Sequence, residues 1–130
     1  MERFGLTERI GFLGGDFNTQ PITGGPYDVA WLSHILHSNG PEHCRDMIRK
    51  VMAVMEPGGL ILIHDFILDD NKDAPEFAAL FSLNMLVNNP QGRTYSEEEI
   101  TWMLREGGAK EIGRHAFRGP NSSSIISAKV

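Results

Sequence analysis

The sequence predicts an α/β domain, in which helices pack against a β-sheet. Two apolar runs, Tyr27–Ser33 and Leu60–Phe66, have the length and composition of buried strands. Between them, Pro41–Met55 repeats apolar residues at the three- and four-residue spacing of an amphipathic helix. Strand–helix units of this kind, followed by a closing pair of strands, are typical of a sheet covered by helices.

Length and composition describe one globular domain and exclude several classes of protein. The chain has 130 residues, of which 41% are hydrophobic and 22% are charged. A net charge of −5 and scattered basic residues argue against a nucleic-acid-binding surface. No apolar run approaches the roughly 20 residues that span a bilayer. The single cysteine, Cys44, cannot form an internal disulfide, so we expect a cytoplasmic protein.

The first half of the chain divides into four predicted elements. Arg9–Leu13 is a candidate strand, and Tyr27–Ser33 is predicted as a strand buried on both faces. Pro41–Met55 is predicted as a helix, with Pro41 in its first turn, where the missing N–H is tolerated. Glu56–Gly59 is expected to end that helix and turn the chain into the strand Leu60–Phe66.

The second half predicts two helices and a hairpin. Asp73–Asn88 is predicted as a helix, with a capping box between Asp73 and Glu76. Ser96 and Glu99 have the same spacing and predict the start of a third helix, which ends at the next glycine pair. The glycine pair is Gly107–Gly108. Two closing strands are predicted at Lys110–Phe117 and Ser123–Val130, with a turn at Arg118–Asn121 between them.

A series of motifs resembles a known enzyme family. From Gly15 to the C-terminus, the chain resembles the second half of class I S-adenosylmethionine-dependent O-methyltransferases, in particular the plant phenolic and bacterial polyketide enzymes. The order and spacing of the motifs support the resemblance more than any single one. They are Gly15-Asp16-Phe17, Tyr27-Asp28-Val29, Leu36-His37, Pro57-Gly58-Gly59, Asn84-Met85-Leu86, Gly92-Arg93-Thr94-Tyr95-Ser96 and Gly107-Gly108-Ala109.

The resemblance implies a partial Rossmann-like methyltransferase sheet. The chain would supply the fourth, fifth, seventh and sixth strands and the C-terminal antiparallel hairpin, with Arg9–Leu13 as a candidate third strand. Residues 1–130 would then be one partial catalytic domain. The family's glycine-rich turn and its acidic second strand, which hold the cofactor, have no counterpart here. S-adenosylmethionine is the cofactor expected for the complete domain, with weak or absent binding by this chain alone.

His37 and Asp65 are the candidate catalytic residues. The resemblance implies that His37 removes a proton from the hydroxyl of a small acceptor, expected to be aromatic, and histidine suits this role near neutral pH. Asp65 ends the next strand, where its carboxylate would orient the histidine. The family's Asp-Trp pair after the histidine is Ser38-Asn39 here, and its later glutamate is Thr94. These differences leave open that His37 is a strand-end residue bonded to a backbone carbonyl.

Five further residues are candidate ligand contacts by resemblance. Asp16 and Phe17 suit an adenine edge and face, and Ser33 matches a position beside the cofactor. Met85 and Asn89 lie one helical turn apart and match positions that line the acceptor pocket. Each has a simpler alternative: Asp16 and Phe17 could form a plain turn, Ser33 could end a strand, Met85 could belong to the core and Asn89 could cap its helix.

No metal site is expected from the sequence. The first potential ligand set has the spacing H-x₂-H-x₅-H-C, which is not a standard zinc pattern. The second is an acidic loop that more simply forms a solvated turn. The first set is His34, His37, His43 and Cys44. The second set is Asp65, Asp69 and Asp70.

Two functions remain compatible with a partial domain. One is an O-methyltransferase with His37 as its base; the alternative is an inactive methyltransferase-like half that acts as an association module. Without the family's first two strands, Tyr27–Ser33 becomes an apolar edge strand that can pair with another chain. The edge could be covered by Arg9–Leu13, by a second copy in a homodimer, or by a missing N-terminal half.

Overall fold

The computed structural model describes residues 2–115, 117 and 120–130. Its regular elements are a four-stranded sheet, three α-helices and three short 3₁₀ turns. The strands and helices are β1 (Tyr27–Ser33), α1 (Pro41–Met52), β2 (Met55–Asp65), α2 (Glu76–Asn88), α3 (Glu97–Glu106), β3 (Lys110–His115) and β4 (Ser124–Lys129). The 3₁₀ turns are Glu2–Phe4, Leu36–Ser38 and Pro120–Ser122.

The sheet has the strand order β1-β2-β4-β3, which confirms the predicted partial methyltransferase sheet and its antiparallel hairpin. Strands β1 and β2 are parallel neighbours, with Ala30 opposite Ile61 and Ser33 opposite His64. Strand β4 runs antiparallel to both β2 and β3. Because β1 and β2 are parallel, their carboxyl ends meet at one edge of the sheet, where open α/β sheets build ligand sites.

The core lies between one face of the sheet and helices α1 and α3. On β2 burial alternates, so that Ile61 and Ile63 are buried and their neighbours are only partly covered, as the two-residue period of a strand requires. Each helix contributes an apolar stripe to this core, and the periodicity of the sequence predicted that stripe for α1. The main members of the stripes are Cys44, Met47, Ile48 and Val51 on α1, and Ile100, Met103 and Leu104 on α3.

The predicted capping box of α3 is present, whereas that of α2 is not. The Ser96 side chain accepts the Glu99 N–H, and a Glu99 carboxylate oxygen accepts the Ser96 N–H at 2.8 Å. Helix α2 begins at Glu76, so the prediction of a start at Asp73 was wrong. Pro75 holds the N-cap position and disfavours helical backbone in the residue before it, which keeps residues 73–74 outside the helix.

Three predictions for the N-terminal half were also wrong. Arg9–Leu13 is not a strand. Its first two backbone N–H groups donate to the Leu6 carbonyl, as in a turn, and three of its apolar side chains are exposed. Strand β1 is not buried on both faces, because it lies at the edge of the sheet. Helix α1 ends at Met52, and the Glu56–Gly59 segment continues β2, because Met55 already pairs with Tyr27.

The hairpin ends differ slightly from prediction. Strand β3 ends at His115, and β4 runs from Ser124 to Lys129, one residue inside the predicted range at each end. The predicted strand also included Ala116, and the predicted turn Arg118 and Gly119; these three lie outside the described residues.

Candidate active site

His37 and Asp65 meet at the carboxyl edge of the parallel strands. Asp65 is the last residue of β2 and is only 3% exposed, while His37 lies in the 3₁₀ turn that follows β1. The His37 Nδ1 atom is 2.7 Å from Asp65 Oδ1, and the His37 backbone N–H donates to Oδ2 at 3.3 Å. A carboxylate only accepts hydrogen bonds, so this network assigns the proton to Nδ1 and leaves Nε2 with a free lone pair.

The turn that carries His37 is anchored by neighbouring elements. The His37 carbonyl accepts the Arg93 N–H at 2.9 Å, and the Asn89 side chain donates to the Ser38 carbonyl at 2.8 Å. The Tyr95 hydroxyl donates to the Asn39 carbonyl at 2.6 Å, and the thiol of Cys44 approaches the Leu36 carbonyl at 3.4 Å. These contacts fix the position of the imidazole relative to the sheet.

The positions that depart from the family motifs have local bonding roles here. Thr94 is buried, and its hydroxyl donates to the Ala78 carbonyl on α2 at 3.3 Å. The side chain of Asn39 donates to the Ile35 carbonyl at 2.8 Å. The carboxylate that contacts His37 is that of Asp65.

A second imidazole approaches the same carboxylate. His34 follows the last residue of β1 with φ of 51°, a left-handed conformation that is uncommon outside glycine and asparagine. Its Nδ1 atom is 3.8 Å from Asp65 Oδ1. The other two members of the first ligand set considered in the sequence lie apart: His43 bonds to Gln91, and Cys44 bonds to backbone carbonyls.

Phenylalanine side chains form a wall beside the two histidines. Phe81 meets the His37 ring edge-on with a centroid distance of 5.0 Å, and Phe66 lies 4.8 Å from the His34 ring. Phe77 continues the wall, 5.1 Å from Phe66. Sequence reasoning missed this wall, although the four-residue spacing of Phe77 and Phe81 on α2 was a usable signal. These three phenylalanines are called the aromatic wall below.

His64 lies opposite Ser33 on the neighbouring strand, and its ring is held between two serine hydroxyls. Its Nδ1 lies 3.0 Å from Ser33 Oγ and its Nε2 lies 3.0 Å from Ser123 Oγ. The ring of His34 packs against it at 4.5 Å. Burial, and secondarily the nearby His34, lower the pKa of His64, so a neutral ring is favoured.

The three candidate cofactor residues line two adjoining clefts. Phe17 and Ser33 share a cleft of about 340 Å³ with Trp31. Asp16 and Phe17 line the neighbouring cleft of about 390 Å³. Both oxygens of the Asp16 carboxylate accept local hydrogen bonds, from the Asn18 N–H at 2.9 Å and the Thr19 hydroxyl at 3.0 Å, and these bonds lower its pKa. Asp16 is thus an exposed, ionised group at the rim of a mainly apolar cleft.

The remaining candidates are placed on or near α2 and in the acidic loop. Met85 is half-buried, and its carbonyl accepts the N–H of Asn89, the residue that caps the helix end. Asp69 pairs with Arg114 at 2.9 Å, and Asp70 accepts the Glu98 N–H at 2.7 Å. The two loop acids are therefore engaged away from Asp65.

Comparison with known proteins shows which family this fold belongs to. Residues 1–110 match the O-methyltransferase domain, so the chain belongs to that family. It is 32% identical over 125 residues to the tetracenomycin polyketide synthesis 8-O-methyl transferase TcmO of Streptomyces glaucescens, covering 96% of this chain and 36% of TcmO. It is 34% identical over 122 residues to the 3-hydroxy-5-methyl-1-naphthoate 3-O-methyltransferase of Streptomyces sahachiroi, covering 94% of this chain and 35% of that enzyme.

A solved structure shows the same architecture. PigF, an S-adenosyl-L-methionine-dependent methyl transferase of Serratia, was solved with SAH and superposes with a TM-score of 0.84 at 31% identity. The match covers 99% of this chain and 38% of PigF. The chain thus spans little more than a third of the length of these relatives. Among the described residues, no helix combines the length and the apolar character that crossing a membrane requires.

The environment of Cys44 leads to a prediction about thiol reactivity. Its side chain is fully buried, and burial raises the pKa of the thiol to about 11. Because the thiolate is the reactive form, we expect alkylation by iodoacetamide at pH 8 to be about 100-fold or more slower in the folded chain than in urea. Mass spectrometry of timed samples measures both rates. Equal rates would contradict the buried position of Cys44 under the His37 turn.

Proposed function

We propose that this chain forms the acceptor-facing part of an S-adenosylmethionine-dependent O-methyltransferase. His37 is the general base, and the acceptor is a small molecule with an aromatic hydroxyl group. The observation that carries the proposal is the 2.7 Å bond between His37 Nδ1 and the buried Asp65 carboxylate beside the aromatic wall. The geometry is that of a general base, His37, whose ring is oriented by a carboxylate, Asp65.

His37 is suited to accept a proton at Nε2. With its Nδ1 proton directed to Asp65, the opposite nitrogen presents its lone pair to a hydroxyl group placed beside it. The Asp65 carboxylate then stabilises the imidazolium that forms when the proton arrives. A positioned base of this kind contributes about 10²–10⁴-fold to the rate, and alignment of the reacting groups contributes separately.

The aromatic wall supports a flat acceptor. The ring centroids of Phe66 and Phe81 lie 6.0 Å and 5.0 Å from that of His37, and aromatic rings pack favourably on such apolar surfaces. The half-buried Met85 is proposed to adapt to the acceptor, and Asn89 to contact it. Two relatives are named for aromatic acceptors or products: a hydroxy-methyl-naphthoate and a tetracenomycin.

The cofactor residues fit one portion of S-adenosylmethionine. Phe17 offers an aromatic face, Asp16 offers carboxylate acceptors with unused lone pairs, and Ser33 offers a hydroxyl on the shared cleft. These groups suit an adenine ring with its exocyclic amine. When bound, the cofactor supplies an electrophilic methyl group carried on a sulfonium. The residues of this chain hold the adenine end, position the acceptor and take up its proton.

Substitution of the base tests this proposal. In the natural polypeptide that contains this chain, we expect His37→Ala to lower kcat for methyl transfer to a phenolic acceptor by about 10²–10⁴-fold, because the hydroxyl loses its proton acceptor. The readout is transfer of a radiolabelled methyl group. The control is His43→Ala, which removes an exposed imidazole that bonds to Gln91. Nearly full turnover by His37→Ala would show that another residue is the base or that alignment alone drives the reaction.

A second candidate function, association with another polypeptide, rests on exposed apolar surfaces. Val29 is 51% exposed and Trp31 is 54% exposed on β1, which pairs only with β2 among the described strands. An exposed apolar edge strand is a template for pairing with another strand. Helix α2 adds a further unburied apolar surface: Leu80, Leu83, Leu86 and Val87 are all more than half exposed. Since Arg9–Leu13 does not cover β1, we propose that a second copy or a preceding segment of a longer protein does.

Light scattering tests the association of this chain with itself. We expect a mass near twice the single-chain value of 14.5 kDa, and a return to the single-chain mass in the double variant Val29→Lys/Trp31→Lys, because lysines oppose edge pairing. Phe12→Lys is the control, since Phe12 is 86% exposed and lies outside the strands. A single-chain mass for the unmodified protein at all concentrations, with a folded circular dichroism spectrum, would exclude the homodimer.

A further inference from the structure

We propose that His34, His37 and Asp65 form a binding site for one divalent transition-metal ion of the zinc class. The binding claim is independent of the proposed methyl transfer and goes beyond it. The sequence spacing argued against zinc because it grouped His34 and His37 with His43 and Cys44. The fold separates those two and replaces them with Asp65 from the neighbouring strand.

The ligand atoms are close enough to share an ion. His37 Nδ1 and His34 Nδ1 lie 2.7 Å and 3.8 Å from Asp65 Oδ1, and the three residues offer one ligand atom each within 4.8 Å of one another. A tetrahedral zinc ion with bonds of about 2.0–2.2 Å holds its ligand atoms about 3.3–3.6 Å apart. Binding would therefore draw the partly exposed His34 ring closer to Asp65 and widen the present 2.7 Å separation of His37 Nδ1 and Asp65 Oδ1.

The charge around Asp65 favours a cation. Its side chain is 4% exposed, and among the described residues its ion-pair contacts are with histidines and none is with lysine or arginine. Its oxygens accept hydrogen bonds from His37 and from the Phe66 N–H, and a bound cation would stabilise this buried negative charge further. Two neutral imidazoles and one carboxylate are ligands that zinc and similar ions accept, and they leave a fourth position open.

Neighbouring histidines do not compete for the ion. Both ring nitrogens of His64 are bonded to serine hydroxyls, although its ring lies against His34. His43 and His115 bond to Gln91 and Ser127 at separate places on the surface. The proposed set is therefore one imidazole from the end of β1, one from the following turn and one carboxylate from the end of β2.

Metal binding would change which nitrogen of His37 carries the proton. The Nδ1 atom must release its proton to coordinate the ion, and a neutral imidazole then carries that proton on Nε2. The exchange moves one proton within the ring and consumes none. If His37 is the base, as in the proposed function, it could then no longer accept a proton from the acceptor. This step is the one part of the inference that depends on the proposed function. The ion would act as a reversible inhibitor of methyl transfer.

Zinc titration of the metal-free chain tests the site without cofactor or acceptor. Isothermal calorimetry should show one Zn²⁺ bound per chain, with affinity reduced about tenfold or more in His34→Asn and retained in His43→Ala. Asparagine is chosen because it tolerates the left-handed backbone at position 34. Cobalt, used as a spectroscopic substitute, should give visible ligand-field absorption that His34→Asn loses.

Each outcome decides the proposal. Equal zinc affinity in His34→Asn and the unmodified chain, with both folded by circular dichroism, would overturn it, as would no binding above that of a His34→Asn/His37→Asn variant. If zinc binds as expected but does not inhibit methyl transfer by the natural polypeptide, the metal site stands and the role of His37 as base fails.

Discussion

The buried carboxylate of Asp65 is the constraint on which the site depends. Strand β2 lies between β1 and β4, and its alternating burial places Asp65 on the same face as Ile61 and Ile63. An ionised group so placed must be satisfied by hydrogen bonds, because desolvation of an unpaired charge costs several kcal/mol. The His37 ring, the His37 backbone and the Phe66 N–H supply those bonds. The carboxylate therefore organises the turn after β1 as well as the base.

Elements whose patterns are local were predicted well from the sequence. The helix α3 start depends on Ser96 and Glu99, which lie three residues apart and bond to each other. Strand β1 follows from a continuous apolar run, and its pairing with β2 follows from the intervening helix. The contact between His37 and Asp65 followed from the same topology, since parallel neighbours bring their carboxyl ends together.

The start of α2 was missed for a local reason, and the other missed features depend on long-range packing. Asp73 and Glu76 have the spacing of a capping box, yet Pro75 restricts the residue before it and delays the helix. Arg9–Leu13 has the composition of a strand but pairs with no strand in the described part of the chain. The approach of His34 to Asp65 depends on a left-handed residue at the end of β1, which no sequence pattern indicated. The aromatic wall required knowing that α2 packs over the strand ends.

The assignment of the His37 proton is the central claim, and ¹⁵N NMR of the histidine side chains measures it directly. In the metal-free chain, at a pH where the ring is neutral, we expect His37 to carry its proton on Nδ1, with Nε2 unprotonated. A His37 ring protonated on Nε2 would contradict this assignment, because Nδ1 could then not donate to Asp65 and Nε2 could not accept a proton from a hydroxyl group.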